Sequence, residues 1–284
     1  MKLYTDHAFH IGKPHLTGGT PCQDYAISGI HGDGAYAIVS DGCSRGRETD
    51  IGARLVAHAM KMELCEKGLR GGELSAVRAR LPAPENALGI GQEDLLATVA
   101  GAYVANDHGV VWLYGDGVVA FKFRNGTLSL VRYLWNKNAP FYVAYRGEAL
   151  TAFNAFHSED PEGAVLQLNK HWYADGVVSE KAIAHSLADG KAGFKQTISR
   201  WTSWMNGGLE YVAVFTDGVM QVDGMAWEDV AKELLAFKTV EGLFAKRRLM
   251  AFIRNVEKNS RGCLDDIAYA VIRIGKEEED GKDS

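Results

Sequence analysis

The chain has 284 residues, 46% of them hydrophobic, and a formal net charge of -5. This composition is typical of a globular protein with a substantial core, and it argues against a nucleic-acid-binding protein, which would show a basic face. The apolar runs are shorter than the roughly 18 residues of a membrane helix, and the N-terminal residues lack a signal peptide's apolar segment, so we expect a soluble cytoplasmic protein with neither nucleic-acid nor membrane partners.

The first predicted elements are a strand and a helix. AYAIVSDG, residues 35–42, is an apolar run ended by a turn, which predicts a buried strand. Residues 48–68 place apolar side chains at helical spacing and end on a glycine, so they predict a helix. Glycines and prolines interrupt residues 71–94, where we expect a short helix and a loop.

Strand patterns dominate the middle of the chain. Between Leu95 and Val131, three runs rich in valine, leucine and aromatic residues are separated by the turn signals NDHG and RNG, which predicts an antiparallel meander. Residues 141–147 and 148–156 suggest two further short strands. Residues 157–208 are mixed and polar, and they predict no definite element.

The C-terminal part returns to longer elements. Two strands and two amphipathic helices are predicted, at 209–218, 265–274, 226–238 and 240–259 respectively. Because strands and helices occur in blocks rather than in strict alternation, the pattern favours antiparallel sheets covered by helices. We expect one domain over residues 1–275 and a charged, disordered tail over residues 276–284.

Aspartates at strand ends are the main chemical signal. The chain contains no P-loop, no H-E-x-x-H, no G-x-S-x-G and no cysteine followed six positions later by arginine. A single Asp-Gly after a strand is an ordinary turn, but several carboxylates at neighbouring strand ends would repel one another unless cations lie among them. Hard oxygen ligands favour Mg²⁺ or Mn²⁺. The aspartates concerned are Asp24, Asp41, Asp116, Asp217, Asp265 and Asp266.

The order of the motifs resembles the metal-dependent protein phosphatase 2C family in its bacterial form. The motifs are Q-D at 23–24, S-D-G at 40–42, G-D-G at 115–117, T-D-G at 216–218 and D-D-I at 265–267. The resemblance runs from Gly12 to Ile274 and is weak between Trp135 and Gly208. It implies an α+β fold, an αββα sandwich of two antiparallel β-sheets flanked by helices, with a two-metal site at one edge.

The resemblance also implies the principal metal ligands. Asp41 would bridge two Mn²⁺ or Mg²⁺ ions, and Asp217 and Asp265 would bind the first of them. The backbone carbonyl of Gly42 would bind the second. Asp24 would orient a metal-bound water, so Asp24 and Asp41 are the expected catalytic residues.

Three further residues would contact these ligands without binding the two metals directly, or would help to bind a third metal. Gln23 stands where many members carry glutamate, and it would act through water. Asp116 matches the aspartate that helps to hold a third, weaker metal in the family. Asp266 adjoins the ligand Asp265 and is grouped with them.

The implied function is that of a metal-dependent serine/threonine protein phosphatase. A hydroxide that bridges the two metals would attack the phosphomonoester in line. The implied partners are proteins that carry phosphoserine or phosphothreonine, together with a cognate serine/threonine kinase. Two alternatives stay open: a catalytically weak or inactive regulatory domain of the same fold that binds phosphoproteins, and an unrelated globular protein whose strands end in ordinary turns.

The chain departs from the family pattern at three positions. Gly19 stands where many members carry a phosphate-clamping arginine; Arg45 or Arg47 could replace it, or both could be plain surface residues. Cys43 replaces the histidine that eukaryotic members carry as a proposed general acid, which would disfavour alkyl phosphates more than aryl phosphates. Gln221 replaces an acidic residue, so the third metal is expected to bind weakly.

The four cysteines are Cys22, Cys43, Cys65 and Cys263. They contain no C-x-x-C pair, which argues against a zinc knuckle, and disulfides are rare in cytosolic proteins. We expect reduced thiols in or near the core. A redox role for the three that lie two residues from a site aspartate stays open.

Overall fold

The computed structural model of the chain describes residues 1–82, 89–106, 108–173, 175–187, 193–199 and 208–275. In these residues two antiparallel sheets pack face to face, and helices cover the outer face of each sheet. The predicted αββα sandwich is therefore confirmed. The tail predicted for residues 276–284 lies outside the described residues and stays a prediction, as does the single domain predicted for residues 1–275.

The strands form one seven-stranded and one five-stranded sheet. In chain order they are β1 (Leu3–His10), β2 (Asp24–His31), β3 (Gly34–Asp41), β4 (Val99–Ala105), β5 (His108–Tyr114), β6 (Gly117–Phe123), β7 (Leu128–Trp135), β8 (Val165–Trp172), β9 (Val178–His185), β10 (Gly193–Ser199), β11 (Leu209–Phe215) and β12 (Ile267–Ile274). The larger sheet has the order β1-β12-β11-β6-β7-β8-β9, and the smaller has the order β10-β5-β4-β3-β2.

The helices lie outside the sheets. They are α1 (Lys13–Gly18), α2 (Thr49–Lys67), α3 (Leu74–Ala79), α4 (Gly147–Phe156), α5 (Trp227–Leu234) and α6 (Phe244–Lys258). α2, α5 and α6 confirm the three helices that the apolar spacing predicts, with slightly shorter ends. No helix in the described parts of the chain is both long and apolar enough to cross a membrane.

Side chains of β3 show how alternation builds the core. Ala37 and Val39 point between the two sheets, while Tyr36 and Ile38 face the opposite way and pack in the layer that contains α2. Met60 of α2 is fully buried in that layer. Because fully burying a large aliphatic side chain stabilises the fold by about 1.5–3 kcal/mol, both faces of β3 hold its end, Asp41, firmly at the sheet edge.

The predicted meander is wrong in one respect. β5 pairs with β4 and β10, whereas β6 pairs with β7 and β11, so the chain crosses from one sheet to the other between β5 and β6. The crossing turn consists of Gly115, Asp116 and Gly117, and both glycines have positive φ values, 99° and 136°. Glycine adopts such angles without steric cost, which allows Asp116 to sit where the two sheets meet.

The middle of the chain contains two other differences from the sequence predictions. Residues 141–146 form a loop rather than a strand, and α4 replaces the strand predicted at 148–156. Leu150 and Phe153, three residues apart, both pack against the core between the sheets, which is helical spacing. The polar segment 157–208, for which the sequence predicts no element, contains β8, β9 and β10.

Candidate metal centre

Neighbouring strand ends bring Asp24 and Asp41 together. β2 begins at Asp24, β3 ends at Asp41, and the antiparallel register pairs these two residues directly. Their carboxyl groups lie close enough for each to affect the pKa of the other. Asp24 is also fixed by Thr216, whose hydroxyl donates to its Oδ2 atom at 2.6 Å.

A second pair of aspartates lies at the ends of β11 and β12, which are neighbours in the larger sheet. Asp217 opens a short 3₁₀ turn directly after β11, and Asp265 lies just before β12. The side-chain amide of Gln221 donates to Oδ2 of Asp217 at 3.0 Å and to Oδ2 of Asp265 at 2.9 Å. One neutral amide therefore links the two carboxylates that the family resemblance implies as ligands of the first metal.

Glycines beside these aspartates permit close backbone approaches. A Cβ atom on Gly42 would lie 2.4 Å from the carbonyl oxygen of Thr49 at the start of α2, and one on Gly218 would lie 1.7 Å from the carbonyl oxygen of Asp266. The N–H of Gly42 donates to the carbonyl of Gln23 at 3.1 Å. The two Asp-Gly turns are thus held against neighbouring backbone, where no larger residue would fit.

Burial and mutual repulsion raise the pKa of all five aspartates. Burial is the largest cause throughout, and it raises the pKa of Asp24 to about 8 and that of Asp116 to about 6. The pKa values of Asp41 and Asp217 lie well above their ordinary range because burial and neighbouring carboxylates act together. The pKa of Asp265 is raised in the same way. Positive charge at this site would therefore be strongly stabilising.

Two buried oxygen atoms lack hydrogen-bond partners. Oδ1 of Asp116 and Oε1 of Gln23 have none among the described residues. The amide nitrogen of Gln23 donates to the hydroxyl of Thr49 at 2.8 Å, which leaves its oxygen as an open acceptor. Buried polar atoms are normally satisfied, so these acceptors indicate a missing donor or cation. An all-oxygen set of this kind fits Mg²⁺ or Mn²⁺.

Asp266 differs from its neighbour Asp265. Its two carboxylate oxygens accept the backbone N–H groups of Gly12 and Gln23, each at 2.6 Å, and Nδ1 of His15 lies 3.0 Å away. His15, Asp265 and Asp266 do bring three ligand-type atoms within 4.8 Å of one another. Because backbone donors already occupy both oxygens of Asp266, we assign it to bracing the N-terminal segment against β12.

The predicted phosphate-binding arginines lie in different surroundings. The guanidinium of Arg47 donates to both carboxylate oxygens of Asp94, at 3.0 and 2.8 Å. Arg45 is exposed and makes no ion pair within the described parts of the chain. Gly19 has a positive φ of 72° at the end of α1 and is also exposed. A phosphate-binding role for Arg45 stays a prediction, while Arg47 would have to leave Asp94 first.

The structure adds residues that the sequence did not indicate. Thr216 stands in the T-D-G motif itself, but only the fold shows that its hydroxyl binds Asp24 rather than its neighbour in the chain. Arg132 on β7 acts electrostatically on Asp116 and Asp217, although nothing in its local pattern sets it apart from other strand arginines. Thr98 accepts the hydroxyl of Ser40 through its backbone oxygen at 2.6 Å.

Two thiols near the site, those of Cys22 and Cys263, do not favour redox chemistry. All four cysteines are free. Burial, with added repulsion from Asp266 and Asp24, raises the pKa of the Cys22 thiol, and burial raises that of Cys263 to about 11. Thiols react through their thiolate form, so both are expected to be unreactive at neutral pH.

One protein-family model matches most of the chain. The family model described as Protein phosphatase 2C matches residues 11–256. That range includes Asp24, Asp41, Asp116 and Asp217, and it ends before Asp265. No curated protein sequence matches the chain.

Solved structures match nearly the whole chain at low sequence identity. The serine/threonine phosphatase Stp1 from Staphylococcus aureus is 12% identical, with a TM-score of 0.55 over 97% of this chain and 96% of that one. A structure described as a bacterial serine phosphatase is 14% identical, with a TM-score of 0.53 over 98% and 100%. The phosphatase domain of SpoIIE from Bacillus subtilis is 13% identical, with a TM-score of 0.52 over 96% and 64%. At these identities the likeness establishes the fold.

Proposed function

Since the chain belongs to the protein phosphatase 2C family, we propose that it is a metal-dependent serine/threonine protein phosphatase. The observation that carries this proposal is a group of five aspartates with raised pKa values, each of which repels at least one other member of the group. They are Asp24, Asp41, Asp116, Asp217 and Asp265. A cluster of carboxylates with raised pKa values is costly unless cations bind it.

The oxygen donors of the site suit two Mn²⁺ or Mg²⁺ ions in their chemistry. Asp41, Asp217 and Asp265, with the backbone carbonyl of Gly42, would hold them. When bound, such a pair of ions supplies hydroxide at neutral pH and neutralises charge on the phosphoryl group. Asp116 would contribute to a third metal site. This site would bind its metal weakly, because Gln221 offers a neutral amide where a carboxylate would bind a cation more strongly.

The chain's own residues then position the reacting water and the ligands. Asp24 would orient the water and hold its proton, because Thr216 fixes one of its oxygens and leaves the other able to accept. Gln23 would accept a hydrogen bond from a second water molecule through its Oε1 atom. Gln23 is held in place at two points: Asp266 accepts its backbone N–H, and Thr49 accepts its side-chain amide.

Substrate class and location belong to the same proposal. One structural neighbour is described as a serine/threonine phosphatase, which supports phosphoserine and phosphothreonine proteins as substrates. A cognate serine/threonine kinase would be the opposing enzyme, and the cytoplasm would be the compartment. The alternative, a catalytically weak or inactive phosphoprotein-binding domain, is favoured by the absence of an arginine at Gly19 and by the engagement of Arg47 with Asp94.

Hydrolysis of p-nitrophenyl phosphate and of a phosphothreonine peptide, with and without Mn²⁺, tests the proposal. We expect turnover that requires the metal and falls at least about 10³-fold in Asp41→Asn and Asp217→Asn, equivalent to about 4 kcal/mol of activation free energy. Asp229→Asn, which changes an exposed aspartate, is the matched control. A folded wild-type chain that shows no metal-dependent turnover of either substrate would favour the inactive alternative.

A further inference from the structure

The candidate site lacks an obvious proton donor for the leaving group. Hydrolysis of a serine or threonine phosphoester releases an alkyl oxygen, which departs readily only if it is hydrogen-bonded or protonated. Cys43 follows the Asp41-Gly42 turn, and a thiol is a weak hydrogen-bond donor. The loop between β7 and α4 brings Tyr142 next to Cys43.

Backbone contacts place Tyr142 beside Cys43. The N–H of Cys43 donates to the carbonyl of Leu96 at 2.8 Å, and the N–H of Val143 donates to the carbonyl of the next residue, Ala97, at 3.3 Å. The two loops therefore lie against the same short stretch of backbone. This stretch also pairs with the Asp-Gly turn, through a bridge between Ala97 and Gly42.

The other side of the loop reaches the crossing turn between the sheets. A Cβ atom on Gly115 would lie 3.0 Å from the carbonyl oxygen of Phe141, so this carbonyl abuts the residue before Asp116. Phe141 and Val143 are both buried, in the core between the sheets and in the α2 layer respectively. Tyr142 lies between them and remains partly exposed.

The side-chain contacts agree with this placement. The hydroxyl of Tyr142 lies beside the sulfur of Cys43, and the carboxylates of Asp41 and Asp116 act on it electrostatically. Its ring packs edge-on against Tyr145, with the ring centroids 5.4 Å apart. Burial, followed by the Cys43 contact, raises the pKa of Tyr142 above its ordinary value. The hydroxyl is therefore a permanent donor at physiological pH.

We propose that Tyr142 contacts the substrate and donates its hydroxyl hydrogen bond to the leaving oxygen of an alkyl phosphoester, with the Cys43 sulfur accepting that bond in the free protein. The inference rests on the proposed phosphatase function. In the reaction a water oxygen bonds to phosphorus, the ester P–O bond breaks, and the serine or threonine oxygen leaves as a hydroxyl. The proton that it takes is balanced by the one that the attacking water loses, so no co-reactant is needed.

The substrate dependence of Tyr142→Phe tests this role. With saturating Mn²⁺, we expect kcat for a phosphothreonine peptide to fall about 10²-fold, the lower end of the range for general acid catalysis. Turnover of p-nitrophenyl phosphate should stay within about threefold of wild type, because p-nitrophenolate leaves without a proton. Tyr145→Phe removes the neighbouring hydroxyl of the same loop, and we expect it to change both rates by less than about threefold.

The outcomes separate this inference from the function on which it rests. A much larger fall in kcat for the phosphothreonine peptide than for p-nitrophenyl phosphate, with an unchanged Mn²⁺ affinity, supports Tyr142 as the donor. Equal losses, or no loss, in a wild-type background that hydrolyses both substrates would overturn the role of Tyr142 and leave the phosphatase function intact. A wild-type chain that hydrolyses neither substrate would overturn both.

Discussion

Buried and half-buried aspartates serve two opposite purposes in this protein. Asp6 and Asp266 accept backbone N–H groups from distant segments, and we call them, with Asp94, the clamp aspartates. Asp41 and Asp217 face other carboxylates instead, and with Asp24, Asp116 and Asp265 they are the site aspartates. The hydrogen-bond donors around a carboxylate, more than its burial, therefore decide whether it stabilises the fold.

The clamp aspartates bind the termini of local elements. Asp6, on β1, accepts the N–H groups of Ala245 and Lys246 at 2.6 and 3.1 Å in the first turn of α6, where helices have unpaired donors. Asp94 accepts from Arg47, Gly91 and Glu48, and the Arg47 hydrogen bond is the main reason that its pKa is lowered to about 2. Each of these carboxylates is therefore surrounded by hydrogen-bond donors.

Loss of activity is the largest difference that we expect between the two groups. Asp265→Asn should lower metal-dependent kcat at least about 10²-fold, or about 2.7 kcal/mol, since it removes a charged ligand from the candidate centre. Asp94→Asn should keep kcat within about tenfold when it is assayed well below its unfolding temperature. Phosphatase assays on both variants check this. A loss in Asp94→Asn as large as that in Asp265→Asn would break the distinction.

Stability should change in opposite directions in the two groups. Asp266→Asn replaces one accepting oxygen by an NH₂ group that faces a backbone N–H, and we expect it to destabilise the fold by about 3 kcal/mol. Asp217→Asn removes a repelling charge, so the metal-free protein should unfold at a higher temperature. Thermal unfolding in EDTA measures both, and Asp229→Asn, at an exposed position, should shift stability by less than about 0.5 kcal/mol. Destabilisation by Asp217→Asn would contradict the comparison.

The pH dependence of stability should separate the groups again. The pKa of Asp24 is raised to about 8 and that of Asp116 to about 6 by burial, while unfolded aspartates titrate near roughly 4. The folded chain therefore holds more protons, and the stability of the metal-free protein should fall as pH rises from about 4 to about 8. Asp94 acts in the opposite sense: its contribution is present above about pH 4 and is lost as pH falls through about 2.

Unfolding temperatures in EDTA at pH 5.5 and pH 8 provide the measurement. We expect the value at pH 8 to be lower by about 5 °C, and Mn²⁺ to remove most of the difference by supplying positive charge. Asp24→Asn should flatten the dependence of the metal-free unfolding temperature on pH, because it removes a group whose pKa is raised to about 8. A metal-free stability that rises steadily over this range would show that the site aspartates are not repelling one another.

The smallest expected effect concerns Gln221. Its amide joins Asp217 to Asp265, so Gln221→Glu would replace a donor by a third carboxylate. We expect the metal-free protein to lose about 1 kcal/mol of stability, and Mn²⁺ to raise its unfolding temperature more than it raises that of wild type. A Mn²⁺ titration followed by thermal unfolding checks both. An equal Mn²⁺ response in the two proteins would mean that residue 221 does not face the bound cations.

Much of the fold and of the candidate site could be predicted from local pattern. The apolar runs before Asp41 and Asp217 predict strands that end at those residues, because apolar runs and turn signals are local features that span only a few residues. α4 was predicted as a strand because short apolar runs fit either period. The crossing at Asp116 could not be predicted, since the choice between continuing one sheet and entering the other depends on packing partners elsewhere in the chain.

Local sequence patterns are enough to predict which aspartates stand at strand ends, and in what order. Which of them are clamp aspartates and which lie at the candidate site depends on the three-dimensional fold. Asp265 and Asp266 are adjacent and chemically identical, yet the donors that bind Asp266 come from Gly12 and Gln23, 254 and 243 positions away. The role of a carboxylate depends on what surrounds it, and those surroundings are assembled by folding.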